Sequence, residues 1–169
     1  SIRLAKHLRA AGLAPGDRLA LISDNDLRVM EVYWAALRSG LYITVVNRHL
    51  TPDEAAYIVD DCDAQALVVS AHALSAVDTS PGAYPGVAHR LVFGGSLPGF
   101  DDYEDALARH DPSPLDDQPR GRDMLYSSGT TGRPKGIEPA LSVGQVQDVP
   151  DPYTAVFAPM YGFDDTTVY

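Results

Sequence analysis

Cysteine, lysine and long apolar runs are what this 169-residue sequence has little of. Cys62 stands alone, so no intrachain disulfide can form, and a reducing, cytoplasmic setting is expected. It sits in an amphipathic stretch and reads as a small buried hydrophobe rather than a reactive thiol. No apolar run approaches the length of a membrane span, and no signal-peptide pattern opens the chain. The five histidines (His7, His49, His72, His89 and His110) lack metal-ligand spacing, and none is assigned to a metal. Positive charge is scarce as well. Thirteen Lys and Arg face 23 Asp and Glu, and the net charge of −10 argues against nucleic acid or an anionic membrane as partner. At 45% hydrophobic and 21% charged residues, the composition is that of one globular domain able to bury a core.

The scarcity of lysine makes one lysine informative. There are 11 arginines and only two lysines, Lys6 and Lys135. Lys135 lies in the segment Tyr126–Gly136, YSSGTTGRPKG. There the hydroxyl residues Ser127, Ser128, Thr130 and Thr131 are interleaved with Gly129 and Gly132, and Arg133, Pro134, Lys135 and Gly136 follow. Glycines let backbone N–H groups approach an anion, hydroxyls add donors, and the ammonium adds a compact charge. A run of phosphates is the anion this arrangement suits. The Walker A pattern fails on spacing, because Arg133 and Pro134 separate Gly132 from Lys135 and no hydroxyl follows the lysine. Arg120, Arg122, Arg133 and Lys135 around Asp123 also make a locally basic island in an acidic chain.

The first hundred residues alternate helix and strand signals. A helix is expected from IRLAKHLRAAG, stopping at Gly12, and a strand from RLALIS. DLRVMEVYWAALRSG reads as a helix with Leu27, Met30, Trp34 and Leu37 on its inward face, and Tyr33 also in the core. LYITVV is a second strand. Thr51-Pro52-Asp53-Glu54 is a capping box opening a helix that runs to about Cys62, followed by the strand ALVVS. A weaker helix near 72–77 and the strand RLVFG continue the alternation, which implies an α/β fold with a mostly parallel sheet and flanking helices. Residues 101–119 read as a short helix near 103–108 and an acidic connector. DMLYS is expected to be one strand delivering the glycine loop, IEPAL a returning strand, and YTAVFAPMYGF a short helix ending at Gly162.

At every position, Tyr126–Gly136 resembles the phosphate-binding signature of the adenylate-forming (AMP-binding) enzymes of the acyl-CoA synthetase type. The order of elements from RAAGLAPGDRLALIS to the loop is similar to the N-terminal part of such an enzyme's large domain. The resemblance implies phosphate binding by Ser127, Ser128, Gly129, Thr130, Thr131, Gly132, Arg133, Pro134, Lys135 and Gly136, with Lys135 in the catalytic role. It implies ATP with Mg2+, a carboxylic acid (a fatty acid in the favoured reading) and coenzyme A as co-substrate. The acid is converted to an acyl-adenylate and pyrophosphate, then to a thioester. Residues 1–100 would form the repeating βαβ part, 101–119 the acidic connector and 123–139 the loop between strands.

Two departures stand out. Ile137-Glu138-Pro139-Ala140 replaces the small apolar residues and Thr-His pair common after the loop. The family's downstream motifs for adenine, ribose, magnesium and the acyl pocket do not occur before Tyr169. The chain is therefore expected to be a leading portion that is inactive alone, with an uncovered sheet edge that favours self-association. A carrier-loading adenylation domain, a luciferase-like oxidase and a non-catalytic nucleotide-binding module stay open as alternatives.

Overall fold

The computed structural model describes residues 1–80, 82–127, 132–150, 152–164 and 166–167. A parallel sheet dominates. Its strands are β1 (Arg18–Ile22), β2 (Tyr42–Val46), β3 (Ala66–Ser70), β4 (His89–Phe93), β5 (Asp101–Asp102) and β6 (Arg122–Asp123), in the spatial order β5-β4-β3-β1-β2-β6. Every pairing is parallel, and β1 lies between β2 and β3 in unbroken register, Leu19 opposite both Ile43 and Ala66.

The order explains where the helices go. From β1 the chain steps one way to β2, then returns past β1 to β3. Right-handed crossovers in opposite directions place the two connecting helices on opposite faces. Accordingly α2 (Arg28–Leu37) packs on one face with α1 (Ile2–Ala10) and α4 (Tyr103–Ala108), while α3 (Pro52–Asp61) covers the other. The central strands β1 and β3 are buried on both sides, as a doubly covered sheet requires. Leu19 and Leu21 join the α1/α2 core with Leu4, Leu8, Val32 and Phe93, and Ala20 and Ile22 join the α3 core with Ile58, Val59 and Leu67. The capping box forms as the sequence implies. Thr51 accepts from the Glu54 backbone N–H, and the Glu54 carboxylate accepts from the Thr51 N–H.

The inward face of α2 differs from the expectation. Of the expected stripe Leu37 is buried, together with Val32, Ala35 and Ala36, whereas Leu27 is 87% and Met30 57% exposed and Trp34 is only partly covered. Tyr33 is only partly buried against the core. The small side chains of Ala35 and Ala36 let the helix approach α1 and the sheet closely, and that stripe wins over the bulkier one. The weak helix expected near 72–77 is a 3-10 segment over Ala71–Ala76.

Residues 109–121 carry the chain from the α4 edge of the sheet to the β6 edge. Part of the acidic connector is tied down on the way: Asp111 accepts from Lys6 at 2.9 Å and Asp117 from Gln145 at 2.9 Å. Gly121 is needed where β6 docks, because a Cβ there would collide with the Leu41 carbonyl oxygen. DMLYS is not one strand. It breaks at Met124, whose N–H donates to the Ile43 carbonyl at 2.9 Å, and continues as β7 (Leu125–Ser127) in a separate two-stranded ribbon with β8 (Lys135–Ile137). The returning strand therefore starts at Lys135 and ends before Glu138 and Pro139, since proline cannot donate to a ladder. Helix α5 (Pro152–Tyr161) follows, with Gly162 in the left-handed region at φ 68°.

Candidate functional site

The glycine-rich segment joins the two strands of this ribbon. Leu125 pairs with Ile137, Tyr126 with Gly136, and Ser127 with Lys135, in antiparallel register. Ser127 and Lys135 are thus cross-strand neighbours at the mouth of a seven-residue connection, 128–134. Ser128, Gly129, Thr130 and Thr131 lie outside the described residues. Gly132, Arg133, Lys135 and Gly136 are exposed and Pro134 is half-buried.

Alternation along the ribbon sorts its side chains. Tyr126 points toward α3 and packs on that core, while Ser127 and Lys135 belong to the other, exposed set with Leu125 and Ile137. The Tyr126 hydroxyl donates to Asp61 Oδ2 at 2.6 Å. Tyr57, one helical turn before Asp61, has its single phenolic proton within reach of Asp61 Oδ1 at 3.0 Å and the Pro134 carbonyl at 3.2 Å. Burial first, then the Asp61 carboxylate, push the Tyr126 phenol well above its ordinary range, and the hydrogen bond to Asp61 raises that of Tyr57. Both tyrosines stay protonated and act as donors.

Gly136 fits this arrangement for a packing reason. A Cβ there would come within 2.7 Å of Met124 Cε and 3.0 Å of the Tyr126 ring and hydroxyl. Without a side chain at 136, the tyrosine ring crosses over its partner strand to reach Asp61. The return segment is fastened further along by Arg18 to Glu138 at 2.8 Å, Tyr42 Oη to the Pro139 carbonyl at 2.8 Å and Arg122 to the Ala140 carbonyl at 3.1 Å.

The basic island disperses on folding. Arg120 is buried beside the Val146 carbonyl at 3.4 Å, Arg122 holds Ala140, and the Arg133 guanidinium lies 4.8 Å from the centre of the Tyr57 ring. Among the described residues, Lys135 has no hydrogen-bond or ion-pair partner, so its ammonium is available at the mouth of the loop. The sequence alone does not single out Asp61 and Tyr57. Their i, i+4 spacing on one helix face was visible, but nothing in the pattern says that this face meets residues 126 and 134.

The model of the AMP-binding enzyme family matches residues 1–139, which takes in the whole sheet and the ribbon and stops before α5. This chain belongs to the AMP-binding enzyme family. A long-chain-fatty-acid–CoA ligase of Thermus thermophilus is 34% identical over 137 residues, covering 80% of this chain and 25% of that protein. A fatty acid–[acyl-carrier-protein] ligase of Streptomyces coeruleorubidus is 34% identical over 145 residues, covering 81% and 26%. The chain thus spans about a quarter of the length of these relatives. Among solved structures, an anthranilate CoA ligase in complex with anthranoyl-AMP superposes with a TM-score of 0.69 at 24% identity, covering 80% of this chain and 26% of that one. The doubly covered parallel sheet is therefore the family's fold. No helix among the described residues is long and apolar enough to cross a membrane.

Proposed function

We propose that the β7–β8 ribbon and its connection bind the β- and γ-phosphates of ATP within an AMP-forming acid–thiol ligase. The observation that carries this reading is the register. A serine hydroxyl and an ammonium without a partner among the described residues stand side by side at the mouth of a loop whose sequence holds three further hydroxyls and two glycines. In the proposed reaction a carboxylate oxygen attacks the α-phosphorus of ATP. The acyl-adenylate forms as the bond to the β-phosphate bridging oxygen breaks, and pyrophosphate leaves with the electron pair. Backbone N–H groups, hydroxyls and Lys135 act by positioning the triphosphate and neutralising the charge that gathers on the leaving group. Magnesium is proposed to enter with ATP.

A thiol then takes the acyl group. Names of relatives support both coenzyme A and a carrier protein as acceptor, at equal identity. Coenzyme A is the first reading and the carrier protein the second. A fatty acid is the proposed substrate class. The complete reaction is proposed for a polypeptide of the relatives' length that contains this chain. Acid-dependent ATP–pyrophosphate exchange by that polypeptide, over a panel of fatty and aromatic acids, tests the reading. Exchange stimulated by a fatty acid supports it, and no exchange with any acid overturns it.

A further inference from the structure

Two side chains on the last turns of α3, Tyr57 and Asp61, each reach a different arm of the ribbon. Asp61 takes the Tyr126 hydroxyl on the incoming strand at 2.6 Å, and Tyr57 reaches the Pro134 carbonyl on the outgoing side at 3.2 Å. The helix that carries them is itself fixed, with a capping box at its start and Ala55, Ile58 and Val59 buried along its length. Arg133 lies over the Tyr57 ring and adds a third contact on the outgoing arm.

We propose that Asp61 and Tyr57 are positioning residues for phosphate binding, a two-point clamp that fixes both arms of the loop. This rests on the phosphate reading above and adds residues outside the glycine-rich segment. The geometry separates two tasks by strand alternation. Tyr126 and Gly136 serve the α3 side, and Ser127 and Lys135 serve the open side. The clamp therefore touches no ligand, yet it sets the spacing of the two arms on which the ligand-facing groups stand. Holding two arms at the spacing that a polyphosphate requires costs conformational freedom. Arms already fixed to a helix reduce that cost, which appears as tighter binding.

The test uses the 169-residue chain and magnesium tripolyphosphate as the probe, titrated calorimetrically, with melting temperature followed in parallel. Asp61→Ala and Tyr126→Phe should each weaken binding about five- to tenfold. The double variant should be no weaker than Asp61→Ala alone, because that substitution already removes the Tyr126 link. Asp61→Asn, which keeps an acceptor oxygen, should recover most of the affinity, a rescue that a general loss of stability would not show. Tyr57→Phe deletes one hydroxyl from a half-exposed ring. It should weaken binding and speed tryptic cleavage after Lys135 even if an Asp61 variant folds poorly. Variants that bind as tightly as the wild type, additive losses in the double variant, or an Asn variant as weak as the Ala variant overturn the clamp alone. A wild-type chain that binds no tripolyphosphate overturns the phosphate reading and the clamp together.

Discussion

Ser127 and Lys135 face each other across the first rung of an antiparallel ribbon, both exposed. Their side chains leave the same face, so a bound anion can be met by a hydroxyl and an ammonium at once. Lys135→Ala should weaken magnesium tripolyphosphate binding by roughly tenfold or more, in line with the larger worth of hydrogen bonds to charged groups. Lys135→Arg should recover only part of it, because a planar fork does not replace a compact ammonium. The same calorimetric titration reads both variants. Wild-type affinity in Lys135→Ala would remove the lysine from the site.

The orientation of α2 separates two stripes of the same helix. Val32 is fully buried and Trp34 is 39% exposed. Val32→Ala should cost about 2 kcal/mol in urea unfolding and Trp34→Ala no more than that, although tryptophan is far the larger side chain. A greater loss at Trp34 would mean that the bulky stripe is the packed one.

His7 packs edge-on against His110 with ring centres 5.5 Å apart. Burial, then the neighbouring His110, Arg109 and His89, lower its pKa, and Asp101 opposes them weakly. A lowered folded pKa means that the unfolded chain binds the proton more readily. The stabilising contribution is therefore present above the unfolded value of 6.5 and is lost as pH falls through the folded value. Melting temperature should drop between pH 7.5 and pH 5. In His7→Gln that drop should be smaller. An identical pH profile in the variant would show that the pair makes no contribution.

Cys62 is 1% exposed, and burial pushes its thiol up to about 11. At pH 8 the folded chain should react with a disulfide reagent at a small fraction of the rate seen in denaturant. The measured ratio then reports opening of the α3 core. Rapid labelling of the folded protein would contradict the packing around Val59 and Ala64.

Local chemistry made much of this protein legible before its fold was known. The capping box at Thr51 involves only residues within one turn, and β1, β2 and β3 are continuous apolar runs, so short-range rules identify both. The break at Met124 was not legible, because it depends on β6 reaching the edge of β2 and the ribbon then folding onto α3. Most of the inward stripe of α2 escapes the sequence for a related reason. Hydrophobic periodicity ranks side chains by size and polarity, whereas close packing against α1 favours Ala35 and Ala36.

The glycine-rich segment shows the same division. Its residue types and order were determined by the sequence alone, and so was the chemistry they suit, because backbone access, hydroxyl donors and a lone ammonium are properties of composition and spacing. Only the tertiary structure decided that Ser127 and Lys135 share one face, that Gly136 leaves room for a tyrosine, and that Asp61 and Tyr57, about seventy residues away in sequence, hold the arms. Such pairings are set by strand register and helix docking, and contacts between distant segments leave no periodic trace in a single chain.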